Sequence, residues 1–270
     1  MVEIFQVDAF TDRLFGGNQA AVVPLEAWID DKILQSIATE NNLSETAFVV
    51  PVEAGYELRW FTPASEVALC GHATLASAHV LFTHLGVSSE QIDFITVKSG
   101  TLSVTRAPDG KLSMSFPAIA AQESTDCKLV ADALGVTPKA LFTGHYAKDE
   151  FDYMAVFDSA DEVASIRPVN SLFGNLKSRG IIVTAADDSG KCDFVSRFFA
   201  PNVGIDEDPV TGSAHCLLAP YWGEVLNKSE LLALQISARV GVIGCSLQED
   251  KTLLSGSCAD YLRGKIHLPA

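Results

Sequence analysis

The sequence contains no run of about 18 uncharged apolar residues, so no convincing membrane-spanning helix is expected. Positive charge is scarce: 19 Lys and Arg stand against 34 Asp and Glu, a formal net charge of −15. That balance argues against nonspecific binding to nucleic acid or to anionic membrane, which needs basic patches. It leaves an anionic small substrate open, because exposed charges are screened over about 8 Å at physiological salt. None of the six cysteines (Cys70, Cys127, Cys192, Cys216, Cys245 and Cys258) forms a C-x-x-C pair. Reduced, mostly buried thiols in a cytoplasmic protein are therefore expected. The first ten residues lack a basic region followed by an apolar core, so no secretory signal is expected. Low-complexity tracts and long charge blocks are also missing.

What is present is a substantial core and a repeat. With 270 residues, 48% of them hydrophobic, the chain can bury roughly three-quarters of its unfolded surface. Residues 58–81 read as a strand, a Pro-containing turn and an apolar helix. Residues 196–226 repeat that plan. Arg59-Trp60-Phe61-Thr62-Pro63 answers to Arg197-Phe198-Phe199-Ala200-Pro201, and Gly71-His72-Ala73-Thr74 to Gly212-Ser213-Ala214-His215. The duplication predicts two similar halves, residues 1–117 and 118–270, linked through residues 117–124. The last strand, residues 264–268, is expected to return to the first half.

In chain order, residues 2–7 and 20–23 read as strands flanking a glycine turn, Phe15-Gly16-Gly17-Asn18-Gln19. Residues 28–40 read as a helix, with Ile29, Ile33 and Ile37 on one face and Asp30 and Asp31 in the first turn. Glu45 then stands at the mouth of an apolar strand, residues 47–50. Alone it would pass for a solvated loop charge, and Asn18 for an ordinary turn residue. Residues 71–85 form a helix without a polar face, which is normally buried on most sides. Residues 92–116 read as successive strands, with a turn at Ala107-Pro108-Asp109-Gly110. A helix over 126–134, stopped by Gly135, opens the second half. Strands over 153–157, 181–185 and 192–199 follow, with a short helix over 158–166. The helix over 212–226 contains Pro220, which is expected to kink or interrupt it.

Helix starts expose unpaired N–H groups and a partial positive charge, and so bind carboxylates. Starts at Gly71 and Gly212 could together cradle one small carboxylic acid. The polar side chains beside them are His72, Thr74, Asp208, Thr211, Ser213 and His215. No metal site is expected, because no H-E-x-x-H or Cys/His cluster accompanies His72, His79, His84 and His215. His79 and His84 read as packing or surface residues. A hydrolase is also not expected, since Thr211-Gly212-Ser213-Ala214-His215 is not a G-x-S-x-G elbow.

Several stretches taken together resemble the phenazine-biosynthesis (PhzF-like) family, of the diaminopimelate-epimerase-like fold. They are Val7-Asp8-Ala9-Phe10-Thr11 with residues 15–23, Asn42-Leu43-Ser44-Glu45-Thr46 and Phe61-Thr62-Pro63. Leu69-Cys70-Gly71-His72-Ala73-Thr74-Leu75-Ala76 and Glu207-Asp208-Pro209-Val210-Thr211-Gly212-Ser213-Ala214 complete the set. The resemblance implies an α+β fold of two pseudo-symmetric halves, each a curved sheet wrapped around a central helix, with the site in the cleft. It implies no cofactor and a homodimer. Catalysis is assigned by the resemblance to Glu45, His72, Asp208 and Ser213, and substrate binding to Asn18, Gly71, Ala73, Thr211 and Gly212. Glu45 would move a proton between carbons of a small carboxylic acid, a role worth roughly 10²–10⁴ in rate. A free Glu titrates near about 4.3, and burial would bring it nearer neutrality.

Related racemases and epimerases of this fold use two cysteines, one before each helix. Cys70 holds the first such place, but Thr211 holds the second, so the two-thiol mechanism is broken and a packed thiol is expected. The sequence also has Gly17-Asn18-Gln19 where Gly-Asn-Pro is usual in the family, and Ala68 before Leu69-Cys70. The rival reading is a non-catalytic small-molecule-binding protein on the same fold, or a racemase or epimerase.

Overall fold

Strands buried on both faces need cover on both sides, and this requirement shapes each half of the chain. The computed structural model describes residues 1–268; residues 269 and 270, part of the expected second half, lie outside the described residues. Met1–Ser115 and the chain from Ser255 form one unit, and Phe116–Leu254 the other. The sequence pattern divides the halves after residue 117 and expects the last strand, residues 264–268, to return to the first half. The first unit contains β1 (Val2–Ala9), β2 (Asn18–Pro24), α1 (Asp31–Asn41), β3 (Glu45–Val52), β4 (Gly55–Phe61), β5 (Glu66–Val67), α2 (Gly71–Thr83), β6 (Gln91–Ile95) and β7 (Thr101–Arg106), and ends within β8 (Leu112–Pro117).

Its sheet runs antiparallel from β1 to β2, parallel to β3, antiparallel to β4, parallel to β6 and antiparallel to β7. The final strand, Cys258–Ile266, pairs antiparallel with β1. One face packs on α2, which touches β1, β2, β3, β7 and the final strand. The small residues Ala73, Ala76, Ser77 and Ala78, all buried, allow that close approach. The other face is covered by α1, whose Leu34, Ile37 and Ala38 join Val23, Phe48, Val50 and Phe61. Side chains alternate along a strand, so Phe48 and Val50 face α1 while Glu45, Ala47 and Val49 share the opposite, α2 side.

Helix α1 begins later than its pattern suggests. Asp30 lies outside the helix as its N-cap, accepting the Lys32 N–H at 2.8 Å. Trp28 and Ile29 reach the same apolar cluster from the preceding segment.

The second unit repeats the scheme. It contains β9 (Gln122–Glu123), α3 (Cys127–Leu134), β10 (Ala140–Ala147), β11 (Glu150–Val156), α4 (Ala160–Ser165), β12 (Ile181–Ala186), β13 (Phe194–Ala200), β14 (Ile205–Asp208), α5 (Gly212–Leu226), β15 (Glu230–Gln235), β16 (Gly241–Gln248) and the start of β17 (Lys251–Gly256). From β10 through β11, β12, β13 and β15 to β16 the pairings run antiparallel, parallel, antiparallel, parallel, antiparallel. That is the order seen in the first unit, with α4 in the place of α1 and α5 in the place of α2.

The repeat extends to side chains. Arg59 on β4 grips Glu66 with two hydrogen bonds of 2.7 and 2.9 Å, lies over the Phe61 ring and reaches Asp31 on α1. Arg197 on β13 grips Glu207 with two bonds of 2.8 and 2.9 Å, lies over the Phe199 ring and donates to the carbonyls of Val163 and Ile166 beside α4. Each guanidinium ties a central strand to the outer helix of its own unit, a geometry that suits the planar fork of Arg.

Pro220 does not interrupt α5, which runs unbroken over Gly212–Leu226. Lacking an N–H, Pro220 leaves the carbonyl of Cys216 without its helical partner. The Ile119 N–H fills the vacancy at 2.9 Å. The expected link, residues 117–124, is thus bound to the second unit, where Ala118 also donates to the Asp250 carbonyl and β9 pairs with β10.

Candidate active site

Three of the sequence-predicted residues meet in the first unit. Gly17, at φ +60, makes the turn that starts β2; a Cβ there would stand 2.1 Å from the Ala9 carbonyl oxygen. Asn18 follows as the first residue of β2 and is fully buried. Glu45 is the first residue of β3, two rows further along a parallel pair in which Ala20 faces Glu45. His72 is the second residue of α2. Its Nε2 lies 3.0 Å from Glu45 Oε2, with side chains only 8% and 11% exposed. Asn18 Nδ2 lies 3.3 Å from His72 Nδ1, and Ser44 Oγ donates to Asn18 Oδ1 at 3.1 Å.

Burial opposes charge on His72, but Cys70 and Glu45 outweigh it and hold the imidazole well above the usual His range. Glu45 Oε2 is buried and has no hydrogen bond of ordinary geometry, only this charged contact. Cys70, the N-cap of α2, places Sγ 3.5 Å from His72 Nδ1 but does not cap the helix. Burial and the Glu45 charge push its thiol up to about 11, so at neutral pH it stays protonated. The first backbone bond of α2 is Thr74 N–H to Cys70 O, which leaves the N–H groups of Gly71, His72 and Ala73 pointing out of the helix start.

Glu45, Cys70 and His72 also bring one potential ligand atom each within 4.8 Å. A metal there would have to displace a strongly held thiol proton and an imidazole proton that Glu45 favours, so the set fits proton transfer better than ligation.

The second unit builds its own polar group at the start of α5. Thr211, the N-cap, donates through Oγ1 to Asp208 Oδ2 at 2.5 Å. Gln235, fully buried on β15, fixes the same corner: its Oε1 accepts the Thr211 N–H at 2.8 Å and its Nε2 donates to the Asp208 carbonyl at 2.7 Å. Gly212 and Ser213 open the helix, with their N–H groups left free of helical bonds. Ser213 Oγ accepts a 3.3 Å bond from Arg179, which is clamped by Asp152 through bonds of 3.1 and 2.6 Å and lies over the Tyr146 ring. His215 points away from this group: it is fully buried, bonds the Thr211 carbonyl through Nδ1 and stacks on Phe194. Arg179, Gln235 and Tyr146 carried no signal in the sequence reading. Arg179 follows no recognisable motif, and Gln235 sits in an apolar strand where only an unexplained buried amide could have drawn notice.

The sequence profile described as "Phenazine biosynthesis-like protein" matches residues 7–261. This chain belongs to the phenazine biosynthesis-like family. An uncharacterized isomerase of Pseudomonas aeruginosa is 48% identical over 265 residues, covering 98% of each chain. The crystal structure of a PhzF family phenazine biosynthesis protein of Enterococcus faecalis superposes with a TM-score of 0.93 at 41% identity, covering 99% of each chain. A probable proline racemase of Agrobacterium radiobacter shares the fold alone, at TM-score 0.62 and 10% identity, with 100% of this chain and 94% of that one covered. The α+β, epimerase-like fold expected from the PhzF-like motifs is therefore the fold of this protein. No helix among the described residues is long and apolar enough to cross a membrane.

Proposed function

We propose that this protein is an isomerase that moves a proton between two carbons of a small carboxylic acid, with Glu45 as the general base and acid. The observation that carries the reading is the buried, hydrogen-bond-poor Glu45 Oε2 held 3.0 Å from His72 beside an uncapped helix start. A carboxylate with an open lone pair is ready to accept a proton, and the N–H groups of the nearby helix start suit an anionic substrate group. Glu45 takes a proton from an activated carbon, and negative charge spreads into the substrate's conjugated system. The N–H groups of Gly71, His72 and Ala73 stabilise that charge as it grows. Glu45 then returns the proton to a second carbon. No electrons leave or enter, so the reaction closes without an external reductant or oxidant. His72 orients Glu45 and steers the proton, and Asn18 holds the His72 ring.

Asp208, Thr211, Gly212 and Ser213 are assigned to holding the substrate in the same reaction, an assignment that rests on the family motif. Ser213→Ala is expected to raise KM more than it lowers kcat. A two-thiol racemase is disfavoured, because the Cys70 thiol is pushed up to about 11 and Thr211 offers only a hydroxyl. A cytoplasmic homodimer completes the reading, with mass measured by light scattering as its check.

The test is deuterium uptake from solvent by a panel of unsaturated and amino carboxylic acids, read by mass spectrometry together with product formation, for wild type and Glu45→Gln. Exchange or conversion by wild type that is lost in the variant supports the isomerase. Equal binding by both proteins with neither exchange nor conversion supports a non-catalytic binding protein instead. Full activity in Glu45→Gln sinks the assignment of Glu45.

A further inference from the structure

His79, His84 and Asp260 form a second cluster in the first unit, apart from the groups assigned to proton transfer. His79 lies near the end of α2, His84 is its C-cap residue, and Asp260 stands on the final strand. Each carboxylate oxygen of Asp260 meets one imidazole: Oδ1 is 3.0 Å from His79 Nε2 and Oδ2 is 3.0 Å from His84 Nε2. One ligand atom from each residue lies within 4.8 Å of the others. The two rings stand nearly perpendicular, at 81°, and His84 is stacked on Phe5, which holds its plane.

We propose that these three side chains bind one divalent transition-metal ion of the zinc class, with a fourth position open to water. Around a tetrahedral ion with bonds of about 2.0–2.2 Å, neighbouring ligand atoms stand roughly 3.3 Å apart. Whichever Asp260 oxygen ligates, its 3.0 Å contact with one imidazole needs to open by only a few tenths of an ångström, and the second imidazole nitrogen lies within 4.8 Å of it. Two imidazoles and one carboxylate select zinc, copper, nickel or cobalt over calcium or magnesium, which favour all-oxygen shells. On binding through Nε2, a neutral ring keeps its single proton on Nδ1 and a charged ring releases its Nε2 proton to solvent.

The surroundings suit a cation. His84 stands at the negative end of the α2 dipole. Arg263, a cation on the same strand, is turned onto the Phe5 ring and paired with Glu3 at 3.0 Å. The three ligands join segments 181 positions apart, so the ion would pin the final strand to α2.

The test titrates the metal-free, full-length protein with zinc chloride by calorimetry and thermal unfolding, and with copper sulfate by electron paramagnetic resonance. The expected result is one ion per chain, a zinc-dependent rise in melting temperature, and copper coupled to two imidazole nitrogens. His84→Asn and Asp260→Asn each weaken zinc binding by more than the roughly 10–100-fold typical of outer-shell changes. Cys70→Ser, which disables the other three-ligand group, leaves zinc binding in place. Zinc affinity weaker than about 1 mM, binding that survives both ligand substitutions, or binding lost in Cys70→Ser overturns the assignment. Should a ligand variant fail to fold, the copper spectrum of wild type still decides, since sulfur ligation or missing nitrogen coupling refutes the site.

Discussion

Glu45 Oε2 and His72 Nε2 stand 3.0 Å apart although one residue opens a strand and the other opens a helix. The contact exists because β3 presents Glu45 on its α2 face and α2 begins beside that strand end. A carboxylate so placed is held by one partner and left with an open lone pair, which is what proton removal from carbon requires.

Stability should report this pair through pH. The folded state raises the proton affinity of His72 above its unfolded value of about 6.5. That contribution is fully present below pH 6.5 and is lost as pH rises through the elevated folded value. The stability gap between wild type and His72→Gln, measured by urea unfolding from pH 6 to 9, should therefore narrow as pH rises. A gap that widens over this range contradicts the assignment.

His215 should behave in the opposite sense. Burial lowers it to about 4, against the bond its ring makes to the Thr211 carbonyl. Its contribution is present above the unfolded value near about 6.5 and is lost as pH falls towards 4, amounting to about 3 kcal/mol over the full span. His215→Phe should flatten the acid limb of the stability curve between pH 6.5 and 4. An unchanged acid limb would show that other groups dominate it.

Cys70→Ser should retain catalytic turnover within a few-fold of wild type, because a thiol pushed up to about 11 contributes little thiolate at pH 7. Steady-state rates on the first substrate identified check this. A hundred-fold loss would return Cys70 to the chemistry.

The twin arginines should differ in weight. Arg197 is 10% exposed and also satisfies carbonyls beside α4, so Arg197→Met should cost about 3 kcal/mol or more. The third partner of Arg59, Asp31, is 71% exposed, and Arg59→Met should cost nearer 1 kcal/mol. Thermal unfolding of the two variants ranks them, and equal losses would contradict the argument.

Much of this was legible in the chain. The paired Arg-aromatic-aromatic strands announced two like halves, and motif residues Asn18, Glu45 and His72 converge in the first of them. The acidic partners Glu66 and Glu207 were not readable, because each lies across a turn whose path the sequence leaves open. Strand β10 escaped notice for a packing reason. Its Gly144 looks like a breaker, yet a Cβ there would stand 2.4 Å from Leu217 of α5, so the glycine makes room for the helix. Arg179 takes its place beside Ser213 only through the clamp of Asp152, a contact of tertiary structure alone.

Pro220 turns a familiar warning sign into an address. Because it withholds one N–H, the Cys216 carbonyl is reserved for a visitor from elsewhere in the chain, and Ile119 is that visitor. A slip of the 118–121 segment by one residue would leave a helical carbonyl stranded and a different amide facing it. The alignment of the connecting segment on α5 is thereby written into the sequence by a residue that makes no hydrogen bond of its own there.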